Sequence, residues 1–238
     1  MEIIKDIEIK NKAIWLRKER VLVIGDLHLG YEESLSEKGT AVPRETFKEM
    51  LSEIRDLLKL KPKEVIILGD LKHEFGKILK QEWNDVLELT RLIKKSSALV
   101  VLKGNHDKII GPILEKEKIP LVDEYFMGGV CFLHGNKIPE SKKFKKSKII
   151  LIGHEHPAIE LSDGVKKEKY KCFLLGKYRA KKLIVLPSFF SILGADILRE
   201  KFLSPFLQQS VDNFAVFVVQ DKKSYDFGKI KKIRKAIN

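Results

Sequence analysis

Five short apolar runs in this chain end abruptly in the same kinds of residue. Val21–Ile24 leads into Gly25-Asp26-Leu27-His28-Leu29-Gly30, and Val65–Leu68 into Gly69-Asp70-Leu71-Lys72-His73-Glu74. Leu99–Leu102 leads, past Lys103, into Gly104-Asn105-His106-Asp107. Val130–Leu133 is followed by His134-Gly135, and Ile149–Ile152 by Gly153-His154-Glu155-His156-Pro157. Runs this short and this apolar suit strands buried on both faces. Polar, ligand-type residues directly after them fall at strand carboxyl ends, where α/β sheets collect their binding sites. The glycines let the backbone turn sharply and approach a bound ion. All 6 histidines of the chain lie in these clusters. A lone histidine is ordinarily a satisfied polar residue, but chance does not place every histidine at a strand end beside Asp or Asn.

Between the first three runs the periodicity changes to that of helices. Pro43 to Leu60 repeats apolar residues at Phe47, Leu51, Ile54 and Leu58, with Pro43 at a first-turn position. Glu82 to Lys94 repeats Val86, Leu89 and Ile93. After Gly129 the apolar runs crowd together, with Phe173–Leu175, Leu183–Leu186 and Phe214–Val219 still to come. This describes βαβ units first and a more meandering sheet second, as in two packed sheets with helices outside. No repeat or Pro/Gly-rich linker interrupts the 238 residues, which suit one α/β domain spanning 1–238.

Composition narrows the class. Met1 to Lys10 alternates apolar and charged residues, which predicts an edge strand and not a signal peptide. No apolar run is long enough for a membrane span, so a cytoplasmic location without membrane contact is expected. Cys131 and Cys172 lie inside apolar runs and read as buried thiols. The net charge of +13 comes from lysine clusters at 142–148, 166–171, 177–182 and 229–235. They suit attraction of a polyanion such as nucleic acid, and equally the solvated Lys- and Glu-rich surface of a hyperthermophile protein.

The donors in the clusters are imidazole, carboxylate and amide oxygen, without thiolate. They suit Mn²⁺, Fe²⁺, Zn²⁺ or Ni²⁺ and argue against a structural zinc or iron–sulfur site. In Asp-x-His and His-x-His, alternate side chains of an extended segment can reach one centre.

In this order, GDLHLG, GDLKH, GNHD, LHG and GHEHP resemble the calcineurin-like metallophosphoesterase superfamily over Gly25 to Pro157. Leu186-Pro187-Ser188-Phe189 and Gly194-Ala195-Asp196 resemble the closing segment of a small branch related to SbcD-type DNA nucleases, which act in DNA repair. The resemblance implies a four-layer α/β/β/α sandwich of two mixed sheets flanked by helices. It also implies two divalent ions, Mn²⁺ first among them. Asp26, His28 and His156 would hold one, Asn105, His134 and His154 the other, and Asp70 would bridge them. His106 matches the catalytic histidine, and Asn105 would also face substrate. Asp107 is left between a catalytic role and holding its loop. Calcineurin-type protein phosphatases carry an Asp and then an Arg where this chain has His73 and Glu74, which counts against that activity. SbcD-type nucleases often carry a histidine there, so His73 is expected to touch substrate or His106, with a supporting hydrogen bond as the plainer role.

The leading expectation is a metal-dependent phosphodiesterase acting on DNA. The chain has little length for the extra DNA-binding domain of full SbcD-type nucleases. A phosphodiesterase of small or cyclic nucleotides is the enzymatic alternative, and a non-catalytic metal-binding scaffold the other. A homodimer partner completing a groove is compatible with the sequence and not required by it.

Overall fold

The computed structural model describes residues 1–37, 39–40, 45–162, 164, 166–191, 194–198 and 201–237. Pro43, read above as a first-turn residue, lies outside them. The first half runs β1 (Glu2–Ile4), β2 (Ile7–Lys10), β3 (Ala13–Leu16), β4 (Val21–Ile24), α1 (Tyr31–Glu37), α2 (Glu45–Leu58), β5 (Glu64–Ile67), α3 (Lys80–Lys94), β6 (Ala98–Leu102), α4 (Gly111–Lys116) and β7 (Leu121–Val122). The second runs β8 (Tyr125–Met127), β9 (Val130–Leu133), α5 (Lys142–Lys146), β10 (Ile149–Ile152), β11 (Pro157–Ser162), β12 (Lys167–Tyr178), β13 (Lys181–Val185), β14 (Ala195–Asp196), β15 (Ala215–Gln220), β16 (Lys223–Lys229) and α6 (Ile230–Ile237).

Strands β1 to β7 form one sheet in chain order, antiparallel up to β4 and parallel from β4 onward. The second sheet has the order β14-β11-β12-β13-β10-β9-β8, with β15 pairing β12 and β16 pairing β15. Its parallel core is β9, β10 and β13.

The apolar runs explain the layering, because successive strand residues point to opposite faces. Val21 and Val23 face the second sheet together with Ile66, Leu68, Val100 and Leu102, and meet Phe132, Leu151 and Ile184 there. Their neighbours Leu22 and Ile24 face outward with Val65 and Ile67, against Phe47, Leu51 and Ile54 of α2 and Val86 and Leu89 of α3. On the far side, Cys131, Leu133, Ile150 and Ile152 pack outward against Phe144 of α5 and Ile230 and Ile233 of α6. Each fully buried aliphatic side chain contributes about 1.5–3 kcal/mol. A strand apolar on both faces therefore has no low-energy place except between two layers. The result is the expected α/β/β/α sandwich.

One local reading differs from expectation. Met1 to Lys10 is not one strand but two, because Asp6 takes a φ of 64° and turns β1 back on β2. Strand β3 and the short helices α1 and α4 carry too few residues to show a period. The 229–235 lysine cluster lies on β16 and α6, where Ile230 and Ile233 are buried while Lys231, Lys232 and Lys235 are exposed. Both cysteines are buried free thiols, and burial pushes the Cys131 thiol up to about 12.

Candidate metal centre

The loops leaving β4, β5, β6, β9 and β10 meet at one end of the sandwich. Asp26, His28, Asp70 and His156 bring one ligand atom each to within 4.8 Å of one another. Asp70, His134 and His154 do the same beside them, so Asp70 belongs to both groups. The Asn105 Oδ1 lies 2.8 Å from His134 Nε2.

The backbone is bent to make this convergence. His28, Asp70, His154 and His156 have φ values of 44°, 44°, 66° and 50°. The left-handed region costs a non-glycine residue roughly 1–2 kcal/mol and persists only where surrounding structure dictates it. Room for the carboxylates comes from glycine. A Cβ on Gly104 would stand 2.1 Å from Asp70 Oδ1, and one on Gly153 would stand 2.4 Å from Asp26 Oδ2. The segment after β13 fastens the first loop: Ser188 Oγ and the Phe189 N–H both donate to the Asp26 carbonyl, at 2.9 and 2.8 Å. Farther on, the Ala195 N–H donates to the His156 carbonyl at 2.8 Å.

The donor set fits a cation. His134 Nδ1 donates to the Leu68 carbonyl at 2.9 Å, so the neutral ring presents a lone pair at Nε2. Burial drives its pKa down to about 4, which keeps it neutral. That lone pair faces Asn105 Oδ1 at 2.8 Å, His154 Nδ1 at 3.1 Å and Asp70 Oδ2 at 3.5 Å. Oxygen and nitrogen lone pairs crowded together are satisfied by a shared positive ion. His28 Nε2 and His156 Nε2 stand 3.2 Å apart in the other group. The carboxylates carry the same message. Burial and the neighbouring Asp26 push the Asp70 carboxyl up to about 9. Burial would also raise Asp26, but His156, His134 and His28 outweigh it and hold its pKa low. Burial lowers the pKa values of His28 and His154. His28, His73 and His106 form a third convergent group, without a carboxylate.

His106 Nδ1 donates to the main-chain carbonyl of His73. Its Nε2 is thereby turned toward the centre, 3.8 Å from Asp70 Oδ2. Burial lowers its pKa. The His73 ring lies edge-on to Tyr31, with centroids 4.5 Å apart, and its Nδ1 is 3.4 Å from His28 Nδ1. His73 thus reaches His106 through its backbone carbonyl, and its ring centroid lies 5.5 Å from those of both His28 and His106. Asp107 accepts hydrogen bonds from the N–H groups of Gly104, Leu71 and Lys72 at 3.0, 3.3 and 3.3 Å. Its buried carboxylate thereby joins the asparagine loop to the bridging-aspartate loop.

Glu82 is a positioning residue that periodicity disguises. Its place in the first turn of α3 suggests an exposed acid. Instead it is fully buried and accepts from the N–H groups of His73, Glu74 and Leu79 at 3.0, 2.7 and 2.9 Å. A Cβ on Gly30 would collide with its Cγ at 1.9 Å. The glycine closing the first motif was the available signal. Lys72, fully buried, donates to the Lys77 carbonyl at 3.1 Å and ties down the same loop.

The sequence model of the calcineurin-like phosphoesterase family matches residues 19–186. No curated protein matches the chain. Among solved structures, a Pseudomonas putida nuclease MPE superposes with a TM-score of 0.64 at 20% identity, covering 91% of this chain and 92% of that one. At that identity the shared property is the fold. YfcE, a phosphoesterase from E. coli, gives a TM-score of 0.43 at 13% identity over 88% and 98% of the two chains. A zinc-complexed Vps29 from Entamoeba histolytica gives 0.36 at 15% over 87% and 96%.

Proposed function

Because this chain belongs to the calcineurin-like phosphoesterase family, a family of metal-dependent hydrolases, we propose that it uses two divalent ions to hydrolyse phosphodiesters, with nucleic acid as substrate. The observation that carries this reading is the pair of convergent donor groups sharing Asp70. Asp26, His28 and His156 would hold one ion. Asn105, His134 and His154 would hold the other, and Asp70 would bridge. Mn²⁺ suits this mixture of carboxylate, amide and imidazole donors. Bound metal supplies positive charge to the phosphate and acidifies water for attack at phosphorus.

The remaining chemistry belongs to the side chains. The His73 carbonyl fixes the proton of His106 on Nδ1 and leaves Nε2 facing the centre. A phosphate anion near Nε2 favours the imidazolium, which can then protonate the leaving oxygen. Asn105 can reach substrate while serving as ligand. Asp107 and Glu82 act through the backbone they hold, and the His73 ring steadies His28. The diester preference rests on two features: His73-Glu74 in place of the phosphatase Asp-Arg pair, and the net charge of +13, which favours polyanions. We read residues 1–238 as one domain at work in the cytoplasm. Among the described residues no helix is long and apolar enough to cross a membrane.

The test adds Mn²⁺ to metal-stripped protein and compares bis-p-nitrophenyl phosphate, p-nitrophenyl phosphate and single-stranded DNA, with His106→Ala as control. Cleavage of diester and DNA that needs both Mn²⁺ and His106 supports the proposal. Cleavage of the small diester without DNA moves the substrate to a small or cyclic nucleotide. Two tightly bound ions without any turnover would instead favour a scaffold.

A further inference from the structure

Phe75 is half exposed, yet its ring centroid lies only 3.7 Å from that of His106, with the planes tilted by 32°. The two rings pack together at the edge of a cavity of about 420 Å³, which is also lined by Asp70, Asn105 and His154. Leu203, the most exposed large apolar side chain among the described residues at 74%, lines the same cavity, as does Lys201.

Neither apolar side chain is there by looseness. Phe75 sits on the loop that Glu82 holds at His73, Glu74 and Leu79, with Lys77 paired to Glu37 at 2.6 Å. Elsewhere in the lining, the Leu203 and Ser204 N–H groups donate to the buried Glu155 carboxylate at 3.0 and 2.8 Å. A pinned loop that shows an aromatic ring to solvent has met the entropic cost of ordering before any ligand arrives. A phosphate gains nothing from Phe75 or Leu203, because it is recognised by charge. The occupant that uses all of these walls carries a flat, weakly polar ring next to its phosphate.

Resting on the phosphodiesterase reading above, we propose that Phe75 is the platform of a nucleobase subsite, stacking the base of the nucleotide next to the scissile phosphate, with Leu203 in the same lining. Stacking on an aromatic side chain is indifferent to base identity, so the subsite selects for a base without selecting among bases. Lys201 meets the backbone phosphate beside it.

The experiment uses the full chain loaded with Mn²⁺ as wild type, Phe75→Ala and Phe75→Trp. The substrates are a thymidine dinucleotide, its analogue with one base replaced by an abasic unit, and a short single strand of each kind. Wild type is expected to favour the base-bearing member by about tenfold in kcat/KM, chiefly through KM. Phe75→Ala is expected to erase that ratio and Phe75→Trp to keep it. A preference on the dinucleotide alone assigns the subsite to small nucleotides, and one shared by the strand assigns it to nucleic acid. An equal loss of kcat on base-bearing and abasic substrates in Phe75→Ala would overturn the proposal and leave Phe75 as a cover for His106. Binding separates this inference from the reading beneath it. Should wild type cleave no diester, thymidine monophosphate that still binds tighter than deoxyribose 5-phosphate, with the difference lost in Phe75→Ala, keeps the base subsite while the phosphodiesterase reading falls. Equal binding of the two by wild type removes the subsite.

Discussion

The floor of the centre and its rim are built under opposite physical rules. On the floor, Asp26, His28, Asp70 and His134 are each at most 2% exposed, and each brings a ligand atom to a convergent group. On the rim, Phe75 and Leu203 show apolar surface to water. The floor is locally unfavourable without an ion, since burial and the neighbouring Asp26 push the Asp70 carboxyl up to about 9. The rim is unfavourable without a ligand of its own kind. If Phe75 stacks a base, strain and exposure mark different things in one pocket: the first what the protein binds permanently, the second what it binds in turnover.

The sharpest way to break the floor is Asp70→Asn. It should abolish turnover and lower metal content at both positions, costing more than the roughly 10–100-fold that follows loss of a mere supporting partner. Metal analysis after desalting, beside diester assays, checks this, and a variant retaining two ions would contradict the bridging role. His106→Ala touches the boundary between floor and rim. Metal content should hold while turnover of esters with poor leaving groups falls about 10²–10⁴-fold. Loss of metal in that variant would make His106 a ligand instead.

Glu82→Ala attacks the rim from beneath. The Glu74 and Leu79 N–H groups would lose their acceptor, while that of His73 keeps the Leu29 carbonyl at 2.9 Å, so stability should fall by about 1–3 kcal/mol, readable in urea unfolding. The base preference ascribed to Phe75 should fall with it while metal content stays. The smallest effect concerns protons. In metal-free protein the Asp70 carboxyl is raised to about 9, above its unfolded value of about 3.9, so the folded state keeps a proton that the unfolded chain has lost. That contribution to stability is full below the unfolded pKa and is lost as pH rises toward 9. The histidines with lowered pKa act oppositely, but only below about pH 6.5. Between pH 7 and 9 Lys171, whose pKa burial lowers to about 7, gains stability as pH rises, so the Asp70 loss is read against the Mn²⁺-loaded protein, relative to which the metal-free protein should lose a few degrees of Tm. A metal-free curve that keeps pace with the Mn²⁺-loaded one across that window would exclude a protonated Asp70.

The floor was legible in the sequence and the rim was not, for a physical reason. A strand buried on both faces must be a continuous apolar run, so Val21–Ile24 or Ile149–Ile152 announces both its position and the loop that follows. Ligand atoms come from residue types with few other uses at such places, which exposed all seven candidate ligands together. Phe75 obeys no period, since its loop is fixed by hydrogen bonds that its backbone donates to Glu82, nine residues from His73. Glu82 itself has the spacing of an ordinary helix surface residue. Ser188 and Ala195 fasten Asp26 and His156 from far along the chain, and no local pattern encodes such partners. The resemblance had drawn attention to their segment without giving the clamp as its purpose.

The distances along the chain between floor residues carry one more consequence. Asp26 accepts the N–H of His154, 128 residues away, and His28 lies against His156 at the same separation. The two halves of the centre come from different sheets, so neither sheet can assemble it alone. Closing contacts of such sequence separation is slow and comes late in folding. An ion that needs both halves can be captured only by a chain whose sheets have already docked. Metal uptake during refolding should thus be a clock for the last step, running behind the fluorescence change as Trp15, buried on β3, leaves water.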